Sequence, residues 1–316
     1  MSGQPARSWD ALQAAAGLAR LDARALLEHV SGHPREWLVA HGDEPAIATV
    51  AEQFNALAAR RRAGEPLAYL TGYREFFGRR FAVDRHVLVP RPETEGLIEA
   101  ALSRLPARVA AVPTCAPTTS SAAAAYSSTA GDTARRVSAG VPLPLRVLDL
   151  GTGSGVIAIT LALTRPDLYL IATDASEQAL VCAQANAARL SAPPIDWYQG
   201  DWWAALPAGT PGFDMVVSNP PYLADNDPHL DDPALRHEPP GALACGPQGL
   251  EAIERIVAQA LAHLLPGGWL LLEHGFEQGP EVRNRLTQAG LSEVATLPDL
   301  QGLERISLGR HPPPIP

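Results

Sequence analysis

Cysteine is scarce in this chain. Cys115, Cys182 and Cys245 form an odd, scattered set in 316 residues with no CxxC spacing, which argues against a disulfide framework or a thiolate zinc site and for free or buried thiols. The nine histidines contain no HExxH pair, so no metal is expected. Long apolar runs are missing as well: none reaches the ~18 residues of a membrane-spanning helix, and the opening MSGQPARSWD lacks the apolar core of a signal peptide. The expectation is a cytoplasmic, monomeric protein that does not touch a membrane. Positive charge is in short supply, with 25 Lys+Arg against 34 Asp+Glu and a net charge of −9. Proteins that live on phosphate backbones usually carry a basic footprint, so stable, non-specific nucleic-acid binding is not expected. Arg60-Arg61-Arg62 makes a local basic run, read as a solvated helix end because cations suit a helix C-terminus.

Apolar residues are plentiful: 46% of the chain is hydrophobic and 19% charged, enough for one large core, or one large and one small. Residues 1–75 read as a helical domain. Asp22 is placed to cap a helix carrying Leu21, Leu26, Leu27 and Val30. Pro34 suits the first turn of a helix holding Trp37 and Leu38. Val50, Phe54 and Leu57 recur at helical spacing before Gly64-Glu65-Pro66 stops the run. Residues 76–105 read as a hairpin and a connecting helix. Glu75-Phe76-Phe77 and Arg80-Phe81-Ala82-Val83 flank Gly78, His86-Val87-Leu88-Val89 follows, and Pro90 and Pro92 end the extended chain. Residues 106–144, rich in Ala, Ser, Thr and Pro, cannot bury enough surface to offset ordering and read as a flexible insertion. From 145 to 316 strand and helix alternate. Strands are expected at 145–150, 168–173, 213–218 and 268–273, with helices at about 155–164, 176–190, 249–264 and 278–289. That pattern implies an α/β fold with a mostly parallel sheet covered on both faces, whose ligands bind beyond the carboxyl ends of the strands.

Asp149-Leu150-Gly151-Thr152-Gly153-Ser154-Gly155 ends the first of these strands and opens a helix. Glycines permit a tight turn and a close ligand, and the helix N-terminus offers N–H groups and positive potential. The spacing is GxGxG rather than the GxGxxG of dinucleotide folds. A ligand bearing a carboxylate, such as the methionine part of S-adenosylmethionine, suits it. Asp174, at the end of the second strand, can accept hydrogen bonds from both ribose hydroxyls or cap the helix opening at Ser176-Glu177. Asp201-Trp202 follows a short strand over 195–199: the carboxylate can receive an adenine amino group and the ring can pack on the purine, with Trp203 in the core.

Asn219-Pro220-Pro221-Tyr222 directly follows the strand FDMVVS. Two prolines fix the backbone and remove two donors, which leaves the Pro220 carbonyl available to a cleft. Asn219 adds a side-chain acceptor. Together they can hold both hydrogens of one planar NH2 group while Tyr222 packs on its face. An amide nitrogen is a poor nucleophile, and two fixed acceptors favour the positive charge that develops on it. A sulfonium methyl is already activated, so no strong base is required. The chemistry these residues suit is methylation of a planar amide or amino nitrogen.

Several segments resemble the HemK/PrmC release-factor glutamine methyltransferases: Glu65-Pro66-Leu67-Ala68-Tyr69-Leu70-Thr71-Gly72, Arg74-Glu75-Phe76-Phe77-Gly78, Leu88-Val89-Pro90-Arg91-Pro92-Glu93-Thr94-Glu95, the glycine loop, the tetrapeptide, and Glu238-Pro239 with Gly246-Pro247-Gln248-Gly249-Leu250. The resemblance implies a class I methyltransferase domain behind an N-terminal domain that helps hold the protein substrate. It also implies S-adenosylmethionine as cofactor and, as substrate, the glutamine of the Gly-Gly-Gln loop of peptide chain release factors. By motif match, Gly151, Thr152, Gly153, Ser154, Gly155, Asp174, Trp202 and Asn219 would contact the cofactor, and Asn219, Pro220, Pro221 and Tyr222 the glutamine. Arg91, Glu93 and Glu95 would organise the domain junction. Three rivals stand beside this reading. A ribosomal-protein glutamine methyltransferase would carry serine after the arginine, where Pro92 stands. An enzyme acting on adenine N6 or guanine N2 could use the same tetrapeptide, against the acidic charge. A silent binding protein would not need Asn219, Tyr222 and Asp174 intact.

Overall fold

The computed structural model describes residues 7–107, 137–138 and 141–313. Most of the expected insertion, with Cys115, lies outside them. Five helices open the chain: α1 (Trp9–Ala15), α2 (Arg20–Ser31), α3 (Arg35–Ala40), α4 (Ala48–Arg62) and α5 (Leu67–Thr71). They close over a small core of Trp9, Leu12, Leu26, Leu27, Leu38 and Phe54. Ser8 caps α1 by accepting from the Ala11 N–H at 3.2 Å. Two expectations fail here. Ala19, not Asp22, is the N-cap of α2, and Leu21 is 75% exposed. The arginine run is also not simply solvated. Arg60 pairs with Glu65 at 2.5 Å, Arg61 pairs with Asp22 at 2.7 Å, and Arg62 donates to the Ala16 carbonyl at 2.5 Å. The run clamps α4 onto the start of the bundle, and Asp22 serves as its counter-ion.

A hairpin follows, β1 (Tyr73–Phe76) against β2 (Arg79–Ala82), with Phe76 opposite Arg79. Phe77 and Gly78 occupy its two-residue turn at φ 49° and 69°, the left-handed pair that matches strand twist. Residues 86–89 form no strand. Val87 and Val89 are apolar because they bury against Ala68 and Ala179. Next come α6 (Thr94–Arg104) and a two-residue pairing of β3 (Val137–Ser138) with β4 (Val141–Pro142).

The main sheet contains β5 (Arg146–Leu150), β6 (Tyr169–Asp174), β7 (Ile195–Gln199), β8 (Phe213–Ser218), β9 (Leu264–Glu273), β10 (Ser292–Pro298) and β11 (Glu304–Arg310). Its order is β10-β11-β9-β8-β5-β6-β7. The strands from β9 to β7 are parallel to one another, whereas β11 and β10 run antiparallel at the far edge. The intervening helices are α7 (Val156–Thr164), α8 (Glu177–Arg189), α9 (Glu251–His263) and α10 (Gly279–Gln288). Alternate strand residues face opposite layers. Val147, Met215, Val217 and Leu271 pack with Leu97 of α6 and Ile159 of α7, while Leu148, Leu150, Val216 and Leu272 pack with Ile253 of α9 and Leu286 of α10. The α/β architecture with both faces covered, behind a helical domain, is the expected one.

One side chain ties the hairpin to the large domain. Asn186 is fully buried. Its Oδ1 accepts from the Ala82 N–H at 2.7 Å, and its NH2 donates to the carbonyls of Ala82 and Ser154, each at 2.9 Å. Every polar group of that amide is thus satisfied without water.

Candidate active site

The carboxyl ends of β5, β6 and β8 meet where the chain leaves β5 toward neighbours on both sides, the place at which open α/β sheets bind ligands. Gly151, Gly153 and Gly155 take φ of 72°, 55° and 83°, a region that only glycine enters cheaply. Asp149, buried beneath the loop, accepts from the Thr152 hydroxyl at 2.7 Å and from the Ala158 N–H at 3.1 Å, which pins the loop to α7. A Cβ on Gly151 would stand 3.2 Å from the Trp202 ring, so the absent side chain opens the slot between loop and indole. Trp202 sits at φ 48°, a costly conformation for a bulky residue and one that clusters at functional sites.

The loop borders a cavity of about 570 Å³. Of the residues singled out in the sequence, Arg91, Gly151, Thr152, Gly153, Ser154, Asp174, Asp201, Trp202, Asn219 and Pro221 line it. Gly155, Pro220 and Tyr222 are not on its wall. Gly155 is the N-cap of α7, and a Cβ there would meet Ile159 Cδ1 at 2.7 Å and Ala183 Cβ at 3.0 Å. Its smallness serves helix packing rather than ligand contact. Thr94, Glu251 and Arg255 also line the cavity. No local spacing points to the latter two, since α9 reaches the site only through the fold.

Asp174 Oδ2 accepts from the Gly153 N–H at 2.9 Å and Oδ1 from the Ser176 N–H at 2.8 Å. Ser176, not Asp174, caps α8, accepting from the Ala179 N–H at 3.2 Å. Burial raises the carboxyl's pKa against those backbone donors. Each oxygen keeps a further lone pair for a hydroxyl. Asp174→Ala is expected to weaken cofactor binding by about 2 kcal/mol, the scale of hydrogen bonds to a charged group, and a calorimetric cofactor titration reads it directly. Asp201 stands at the rim, where its carboxylate is ion-paired with Arg255. Trp203 is core, as expected: its indole N–H donates to the Ile256 carbonyl at 3.0 Å and its ring stacks on His263 at 4.5 Å.

At the end of β8, the Asn219 NH2 donates to Thr94 Oγ1 at 3.0 Å, and the buried Oδ1 has no hydrogen-bond partner in the protein. A buried acceptor left unmade costs about 1–3 kcal/mol, and such groups in native structures call for a functional account. The Pro221 carbonyl accepts from the Cys245 thiol at 3.0 Å and the Tyr222 carbonyl from Gln278 Nε2 at 3.0 Å. Burial pushes the Tyr222 hydroxyl up to about 12, so it stays neutral. The chain beyond is zipped to residues 243–246: the Leu223 N–H donates to the Leu243 carbonyl, and the Leu223 carbonyl accepts from the Cys245 N–H. Glu238, buried, accepts from Arg91 at 2.7 Å and from the Val89 N–H at 2.9 Å. Glu95 accepts from the Phe77 N–H at 2.7 Å. Arg91 and Glu95 therefore organise the junction of hairpin, α6 and large domain.

Glu273 and His274 are adjacent but do not form an acid–base pair: His274 is spent on Ser307 Oγ and the Gly275 carbonyl, each at 2.8 Å. Among the described residues no group of three or more His, Cys, Asp or Glu is arranged to hold a metal ion, and no helix is long and apolar enough to cross a membrane. Burial raises Asp149 and Glu273 to about 7 each. A carboxyl with a raised folded-state pKa binds its proton more tightly in the folded protein, so its stabilising contribution is complete below about pH 4 and is lost as pH climbs through about 7. The melting temperature is therefore expected to fall between pH 5 and pH 8. Asp149→Asn, which keeps the acceptor for Thr152 and Ala158, should flatten that fall in a calorimetric pH series.

Residues 8–72 match the PrmC N-terminal domain and residues 121–232 the methyltransferase small domain. A release factor glutamine methyltransferase of Bordetella pertussis is 45% identical over 293 residues, covering 93% of this chain and 95% of its own. That of Burkholderia pseudomallei is 43% identical over 313 residues, 98% of this chain and 97% of its own. The Escherichia coli protein of the same name is 41% identical over 292 residues, 92% of each chain.

Proposed function

Because the chain belongs to the release factor glutamine methyltransferase family, we propose that it methylates the side-chain amide nitrogen of the glutamine in the Gly-Gly-Gln loop of peptide chain release factors. The observation that carries the mechanism is the buried Asn219 Oδ1, left without a protein partner at the cavity wall while its own NH2 is held by Thr94. The cavity fits S-adenosylmethionine. Gly151 and Trp202 form a slot that a Cβ would close, Asp174 presents carboxylate oxygens to a ribose, and the loop sits at a helix N-terminus able to receive a carboxylate. When bound, that cofactor supplies an activated sulfonium methyl.

The chain's own residues do the rest. On the family's pattern, Asn219 Oδ1 and the Pro220 carbonyl, the latter off the wall of the cofactor cavity, accept the two hydrogens of the glutamine amide and hold its nitrogen still. Positioning of this kind supplies much of the rate in a two-reactant step. The same oxygens oppose the positive charge that develops on nitrogen, and they are fixed before the reaction begins. Tyr222, neutral, packs on the flat amide. The proton leaves late, to water. The place of action is the cytoplasm, where release factors work.

Methyl transfer from labelled cofactor, run side by side on release factor, ribosomal protein and DNA, tests this. Label on the release factor alone, abolished when its loop glutamine is replaced, is the expected result. Label on DNA or the ribosomal protein instead would overturn it. Against nucleic acid stands the acidic balance of −9, with the Arg60–Arg62 run already spent on internal partners.

A further inference from the structure

Glu273 closes β9 directly behind the catalytic loop. It is 1% exposed and does not line the cavity, and its Oε2 has no hydrogen-bond partner. The groups facing its carboxyl are the Thr94 hydroxyl and the Asn219 amide, which hold its proton affinity down by hydrogen bonding against the burial that raises it. Arg305 and Glu93 act on it from further off. Thr94, 2% exposed at the start of α6, accepts from the Asn219 NH2 at 3.0 Å. A hydroxyl whose oxygen is engaged in that way has one hydrogen left to give, and the Glu273 carboxyl beside it is an acceptor.

We infer that Glu273 is a positioning residue: as the terminal acceptor of the chain Asn219 N–H to Thr94 O–H to Glu273, it sets which way the Asn219 amide faces. An amide has a donor end and an acceptor end of nearly the same shape, so packing alone distinguishes the two orientations poorly. A buried acceptor behind Thr94 breaks the tie. It draws the hydroxyl hydrogen inward, which leaves the Thr94 oxygen to receive the Asn219 NH2 and turns Oδ1 toward the cavity. With a donor or an apolar group in its place, the hydroxyl loses that direction, and the amide can present its NH2 to a substrate that offers only hydrogens. The inference rests on the reading of Asn219 given above and extends it to a residue that touches neither substrate nor cofactor.

The test is a double-mutant cycle on the full chain, with kcat and KM for release factor and a separate cofactor titration. Glu273→Leu, apolar and of similar reach, and Thr94→Val, isosteric, are each expected to lower kcat by about 10- to 100-fold, less than removal of the preorganised group itself. KM and cofactor affinity should stay within about 3-fold. Thr94→Ser, which keeps the hydroxyl, should recover most of the loss. Against an Asn219→Ala background the same changes should cost nothing further, because residues that act as a unit are not additive. Full turnover in Thr94→Val, or losses that add to Asn219→Ala, would overturn the role of Glu273 while leaving Asn219 in place. Normal turnover in Asn219→Ala alone would remove the underlying reading instead.

Discussion

Asn219→Ala is expected to lower kcat by about 30- to 1000-fold, or roughly 2–4 kcal/mol, the cost of removing one preorganised polar group from a reaction centre. Cofactor affinity should fall far less, because the loop, Asp174 and Trp202 border the same cavity. The direction of the effect follows from which state the acceptor serves. A group that stabilises charge appearing on nitrogen only during transfer lowers kcat and kcat/KM together when it is lost. Single-turnover transfer from labelled cofactor, paired with a calorimetric titration, separates the two quantities. Turnover near that of the parent protein would refute the assignment of Asn219, and with it the account of the unpartnered Oδ1.

Gly249→Ala is expected to be nearly as damaging, although residue 249 contributes no side chain to chemistry. Its φ is 70°, and a Cβ there would stand 2.4 Å from the Tyr222 carbonyl oxygen and 2.7 Å from the Leu223 carbonyl carbon. Both are backbone atoms and cannot rotate aside. Gln278 Nε2 donates to the carbonyls of Tyr222 and Gly249, at 3.0 and 3.2 Å, so a push at one is felt at the other. A displacement of about 1 Å at a reacting centre can cost about 100-fold in rate. The left-handed backbone adds about 1–2 kcal/mol of destabilisation for any L side chain. Gly302 is the control: its φ is 82°, but nothing lies within 4 Å of its would-be Cβ. Gly302→Ala should lower the melting temperature by a few degrees and leave kcat untouched, whereas Gly249→Ala should lower both. Equal kinetics in the two variants would show that the contact with Tyr222 does not hold the loop.

Periodicity carried the parallel half of the sheet because those strands are buried on both faces and read as continuous apolar runs. The pair β10 and β11 was not foreseen. Residues 292–298 are half-buried along most of their length, so neither a clean alternation nor an apolar run marks them. Leu21 was placed on one side with Leu26, Leu27 and Val30, yet it falls on the side of α2 opposite the buried Ala23, Leu26 and Leu27. The arginine run misled for a different reason: charge is visible in a sequence, but its partners Asp22 and the Ala16 carbonyl lie 39 and 46 residues away. At the site, the glycine loop and Asn219 could be placed at one cavity because each belongs to a contiguous motif at a strand end, although Gly155, Pro220 and Tyr222 of the same motifs lie off its wall. Thr94 and Glu273 were not given their places, since the bond from Asn219 to Thr94 spans 125 residues and no spacing rule reaches that far.

Asn186 has a thermodynamic consequence. Its single amide grips Ala82, on the hairpin that continues from the helical domain, and the Ser154 carbonyl in the cofactor loop. The hairpin and the glycine loop are therefore held by one buried amide. If engagement of a protein on the helical side tightens the cofactor's hold by some factor, occupancy by the cofactor must tighten the hold on that protein by the same factor, because a coupling free energy belongs to the pair and not to either ligand.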